Sequence, residues 1–162
     1  LRQLLTDTEP RVQREAIRAM VGMGDEQAYQ VLVSVLAESP AGQRAVLLKQ
    51  LRSQRDEQTV PLCCYLLAQL THRTRSDVYV AVIETLGAVG GADSVTPLRD
   101  ALYLGEWWAP FRTRALREGA ALALRRTRIP AAQEVLRDAA KHGPWGVRSA
   151  ARSRLAQTGG RP

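Results

Sequence analysis

Aromatic side chains are scarce in this chain. They make up 5% of the 162 residues, and Phe occurs once. A sheet core would draw on more aromatic and β-branched residues. The apolar mass, mostly Leu, Ala and Val, points instead to small, tightly stacked helices. Cysteine is rare too: the only two, Cys63 and Cys64, are adjacent. Two cysteines cannot build a disulfide framework, and a vicinal bridge is strained. The pair reads as two small apolar residues of a helix in a reducing, cytoplasmic setting. No apolar run approaches the ~20 residues that cross a bilayer, so no membrane span is expected. Lysine is limited to Lys49 and Lys141, so arginine carries nearly all of the positive charge behind a net +7. With a pI of about 10.2, nucleic acid and acidic partners both remain open.

Catalytic signatures are missing as well. There is no G-x-S-x-G, no H-E-x-x-H and no phosphate-cradling glycine loop. His72 and His142 join no cysteine or carboxylate at metal-ligand spacing, and a His at a helix C-terminus complements the dipole. Gly90-Gly91 suits an interhelix turn. The sequence therefore assigns no catalytic, cofactor or metal residue. The opening Leu1-Arg2-Gln3-Leu4-Leu5 reads as the end of a helix already in progress, so a fragment of a longer chain is expected.

What the chain does have is a repeat. The segment Val12 to Met20 recurs 31 residues on, where Leu47, Leu48 and Leu51 replace Ala16, Ile17 and Met20. A shift of 66 brings Val78, Val82, Ile83 and Leu86 to the same places. A shift of 104 brings Leu116, Ala120, Ala121, Ala123 and Leu124, and one of 135 brings Val147, Ala151 and Leu155. A period of 31 to 38 residues is that of helical solenoids. The second half of each unit repeats too. Ala28, Val31, Leu32 and Leu36 form one stripe, followed by Leu62, Cys63 and Leu67, then Leu98 and Leu102, then Ala132, Val135 and Leu136. Pro10, Pro40, Pro110 and Pro130 stand at helix starts. Gly24 and Gly90 suit left-handed helix ends. Asp25, Asp56 and Asp93 are placed to cap second helices. Units are expected at 10–38, 40–72, 76–104, 110–142 and a partial 144–157, with 1–6 ending a preceding helix.

These residues resemble HEAT repeats, in particular the short bacterial subtype similar to phycobilisome-lyase repeats. Val12, Arg14, Ala16, Ala19, Met20, Gly22, Gly24, Asp25, Ala28 and Leu32 follow the pattern of that subtype. The second unit departs from it at Gln43 and Ser53. The resemblance implies a single array, a right-handed all-α solenoid of about four to five stacked antiparallel helix pairs. It also implies that first helices line a convex side and second helices a concave, partner-binding side.

On that register the arginines fall mainly on first helices and are expected on a solvated convex face. The concave strip of Ser34, Tyr65, Arg99, Asp100, Arg137 and Asp138 is mixed and roughly neutral. Some HEAT-like proteins, the alkylpurine DNA glycosylases among them, grip DNA in a basic concave groove, and here the charge sits on the other side. Arg148, Arg152 and Arg154 suit a polar terminal helix, and Trp145 is read as a packing residue. The loop Gly105 to Phe111 concentrates two Trp and the Phe. It is either a plug, with Trp108 or Phe111 between units and Trp107 more exposed, or a partner anchor.

The leading expectation is a non-catalytic protein-interaction scaffold. Its partner is another protein or another domain of the same longer chain, met along that strip with Trp107 at the rim. The alternatives are a polyanion binder using the convex-face arginines, with weak and nonspecific nucleic-acid contact, and a lyase-like or chaperone-like accessory subunit. That last reading, like a glycosylase-like activity, rests on fold resemblance alone.

Overall fold

The computed structural model describes residues 1–69, 76–104 and 110–156, with side chains from Thr113 onward in the last segment. Among them the secondary structure is entirely helical. The α-helices are α1 (Arg2–Leu5), α2 (Pro10–Met23), α3 (Glu26–Glu38), α4 (Ala41–Arg52), α5 (Thr59–Ala68), α6 (Ser76–Val89), α7 (Val95–Tyr103), α8 (Pro110–Thr127), α9 (Pro130–His142) and α10 (Trp145–Ala156). A 3-10 turn, Ala92–Ser94, leads into α7. The chain forms an all-α array of the solenoid type. It divides into two compact units, Leu1–Thr85 and Leu86–Pro162, and the division falls inside α6.

Each unit shows why the repeat exists. In the first, α2 packs on α4 and α3 on α5, so like helices stack on like. In the second, α10 packs on α8 and α9, while α7 lies against α8 and α9. The stripes meet in these stacks. Ile17, Met20, Leu47, Leu48, Leu51 and Leu62 are buried in the first unit. Leu98, Leu102, Leu124, Leu136, Val147 and Ala151 are buried in the second.

Most boundaries follow from local chemistry. Pro10 and Pro130 open their helices at a position whose N–H has no intrahelical acceptor. Asp25 caps α3 by accepting from the Gln27 N–H at 3.1 Å. Gly24, at φ +64°, closes α2 with its N–H donating to the Met20 carbonyl. Gly90, at φ +72°, does the same toward Leu86 after α6. Both occupy the left-handed region that glycine enters without Cβ strain.

Several expectations need correcting. Asp56 shapes the turn before α5 by accepting from the Gln58 N–H, but the residue before that helix is Gln58, not Asp56. Asp93 lies inside the 3-10 turn, and Ser94 precedes α7 without a side-chain cap bond. On α5 the buried stripe is Leu62, Cys63 and Leu66, with Leu67 half-buried, because i, i+1, i+4 is the narrower helical face. Val31 and Val135 are likewise half-buried at the stripe's edge. Trp145 is not a packing residue: it is 80% exposed. It stands two residues before the buried Val147, roughly 200° round the helix and so on the opposite face. No helix among the described residues is long and apolar enough to cross a membrane.

Gly87 of α6 lies close against Ala123 of α8 in the second unit. A Cβ built on Gly87 would lie 2.6 Å from the Ala123 Cβ and 2.8 Å from its Cα, backbone that cannot swing away. Gly22 sits on α2 with nothing within 4 Å of such a Cβ. Gly87→Ala should therefore destabilise by roughly 1–3 kcal/mol through overpacking. Gly22→Ala should stabilise by up to about 1 kcal/mol through helix propensity. Denaturant midpoints of the two variants should move in opposite directions; a shared direction would contradict the packing described.

Candidate interaction surface

The first helices carry a polar column inside their packing. Gln13 and Arg44 occupy the same repeat position, 31 residues apart, and both are buried. Each reaches back to the loop before its own helix. Gln13 Nε2 donates to the Asp7 carbonyl at 2.8 Å, and an Arg44 terminal nitrogen donates to the Ser39 carbonyl at 2.8 Å. Arg44 also donates through Nε to the Asp77 carboxylate at 2.9 Å, joining α4 to α6. In the same unit Arg14 Nε donates to Gln50 Oε1 at 3.0 Å, and Arg52 pairs with Glu84 at 2.6 Å. In the second unit the Arg117 guanidinium lies over the Gly146 backbone, where an added Cβ would meet it at 2.5 Å. Arg152 Nε donates to the Ala140 carbonyl at 2.9 Å.

This corrects the expectation of a solvated arginine face in part: Arg11, Arg14, Arg18, Arg114, Arg126 and Arg152 are exposed as expected, whereas Arg44 is buried. Part of the positive charge is structural and is used up between neighbouring helices. Arg44 has a side chain only 4% exposed. The composition could not reveal this. The signal was the register, which places Arg44 on the position of Gln13 and not on an outward one.

The expected contact strip lies on second helices, as two separate groups. In the first unit, Ser34 of α3 is half-buried and its hydroxyl donates to the Gln30 carbonyl. Tyr65 of α5 is half-buried and tilted 55° against the buried Tyr29 ring, centroids 5.6 Å apart. In the second unit, Arg99 and Asp100 of α7 are exposed and paired at 3.2 Å. Arg137 and Asp138 of α9 are exposed at the matching place. Both pairs belong to the same short text, Leu98-Arg99-Asp100-Ala101 and Leu136-Arg137-Asp138-Ala139, whose outer residues are buried. Packing of the Leu and Ala fixes the outward aim of the Arg and Asp between them. Trp107, Trp108, the Phe111 side chain and His72 lie outside the described residues. His142 is exposed in the last turn of α9. No group of three or more metal-ligating side chains occurs among the described residues.

The cysteines behave as apolar residues. Neither forms a disulfide; Cys63 is buried and Cys64 half-buried. Burial first, and the neighbouring Cys64 second, push the Cys63 thiol well above its ordinary range. Burial likewise raises the Tyr29 phenol.

Against known families, residues 1–52 match the model described as HEAT repeats. No curated protein matches the chain. The match covers α1, α2, α3 and α4, the stretch in which the polar column begins.

The placement of the arginines and of the cysteines can each be checked. Arg44→Ala should cost roughly 1–3 kcal/mol, because it strands the Ser39 carbonyl and takes the guanidinium partner from Asp77. Arg52→Ala should cost under about 1 kcal/mol, since both partners of that pair are more than a third exposed. Equal losses in urea melts would argue against the inward placement of Arg44. A thiol-specific disulfide reagent should label Cys64 first and reach Cys63 only on unfolding. Because the unfolded chain releases a thiol proton that folded Cys63 keeps, stability should fall as pH rises past the ordinary thiol range. In Cys63→Ala that alkaline slope should be shallower; an unchanged slope would assign it elsewhere.

Proposed function

We propose that this chain is a non-catalytic protein-interaction scaffold, with its second helices offering the contact surface to another protein or to another domain of a longer chain. The repeated Arg–Asp pair carries the reading. Arg99-Asp100 and Arg137-Asp138 are exposed at matching positions on α7 and α9, each held between buried Leu and Ala residues. Alternating charges on rigid helices suit a partner of mixed charge, and they confer specificity more than raw affinity. The match of residues 1–52 to HEAT repeats supports the same class of function.

A polyanion-binding role for the first-helix arginines is weaker. Arg14, Arg44 and Arg52 are engaged with Gln50, Asp77 and Glu84. A lyase-like role draws only on fold resemblance. A bacterial, cytoplasmic setting belongs to the same proposal.

The test is affinity capture with the immobilised chain and with an Arg99→Glu/Arg137→Glu variant. Elution at about 150 and about 500 mM salt separates specific docking from screened attraction. A protein retained at high salt by the wild type and lost from the variant is expected. Nucleic acid that elutes steeply with salt and ignores the variant would overturn the reading.

A further inference from the structure

The first unit has a groove of about 480 Å³ between one face of α2 and the turn that joins α4 to α5. Arg14, Arg18 and Gly22 line it from the helix, at the i, i+4, i+8 spacing of a single face. Arg55 and Asp56 line it from the turn, and Glu15 stands beside Arg14. Three guanidiniums thus face two carboxylates. The fittings are partly fixed in advance. Arg14 is held through Nε by Gln50, and Arg55 donates a terminal nitrogen to the Arg52 carbonyl at 3.2 Å. Asp56 is turned toward its own loop by accepting from the Gln58 N–H. Arg18 pairs with no carboxylate among the described residues.

We propose that this groove is a docking site for an acidic side chain, Glu or Asp, of a protein segment, taken up by Arg18 with Arg14 and Arg55. The excess of one positive charge matches a single carboxylate, and the fork of a guanidinium receives a carboxylate in bidentate fashion. The volume is that of a side-chain or small-ligand pocket. A nucleic-acid backbone is a poor occupant. It brings about one charge every 1.7 Å, and Glu15 and Asp56 would lie against it. The site is on the α2 side of the first unit and shares no residue with the second-helix groups assigned above. It rests on the scaffold reading only in taking a protein as the source of the carboxylate.

Fluorescence anisotropy of a labelled Gly-Glu-Gly-Glu-Gly-Glu peptide tests it, with the Gln-for-Glu peptide and a 20-base-pair duplex as comparators. At about 150 mM salt the Glu peptide should bind with a dissociation constant of about 1 mM or tighter, and the Gln peptide at least about tenfold more weakly. Arg18→Gln should weaken the Glu peptide at least about tenfold. Gly22→Phe fills the groove from an open helix position and should do the same without lowering the melting temperature. The Arg99→Glu/Arg137→Glu variant should bind the peptide as the wild type does, so a failure here leaves the second-helix reading standing. Absence of binding, equal binding of the Gln peptide, tighter binding of the duplex, or indifference to both groove variants would overturn the proposal.

Discussion

A helix of 12 to 14 residues with apolar side chains on one face cannot bury that face within its own pair. It must lie beside the equivalent helix of the next pair. In the first unit Ile17 and Met20 of α2 and Leu47, Leu48 and Leu51 of α4 are buried in a like-on-like stack. In the second, α8 and α10 repeat the arrangement, with small residues setting its closeness. Ala120, Ala121 and Ala123 are buried, and Gly87 meets Ala123 with no room for a methyl group. The scarcity of aromatic residues follows from this geometry. Large rings would hold helices apart that must approach through Ala and Gly.

Polar groups are fitted inside the same constraint. A buried amide or guanidinium is tolerated only where its donors are used. Gln13 and Arg44 satisfy this by turning back to the carbonyl of the preceding loop, and Arg44 adds Asp77. In the first unit the column therefore links α2 and α4 each to what comes before it, while Asp77 and Glu84 of α6 link α4 to what comes after. A basic composition is thus divided between fastening and surface. The surface share includes Arg18 and Arg55, and Arg99 and Arg137 with their neighbouring aspartates.

Much of the fold was legible because the repeat is carried by apolar positions and punctuation. The period placed the buried Leu47, Leu48, Leu86, Leu98 and Leu124, and the glycines at 24 and 90 marked the left-handed ends. Four features were not legible, for physical reasons. Leu66 and Leu67 are both apolar, so the pattern alone could not choose the inner one. Trp145 looked apolar, but a helix start leaves the face before the first buried turn in solvent. Asp93 suited a cap until the 3-10 turn moved the helix start past it. The arginines looked external because charge is usually external; the register sets Arg44 on the position of Gln13, but only the contacts across helices show that position to be buried. Arg99-Asp100 and Arg137-Asp138 were legible as exposed positions on second helices, but not as a repeated pair with buried residues on both sides.

Nearest-neighbour stacking is the premise of all these features, and native-state hydrogen exchange of Leu47→Ala tests it most directly. Leu47 is fully buried in α4, and its truncation should cost roughly 2–5 kcal/mol. If stability is summed from neighbouring contacts, amide protection should fall in α2, α4 and α5, while α8, α9 and α10 keep theirs. A uniform loss of protection from α2 to α10 would contradict that picture and show one cooperative core instead.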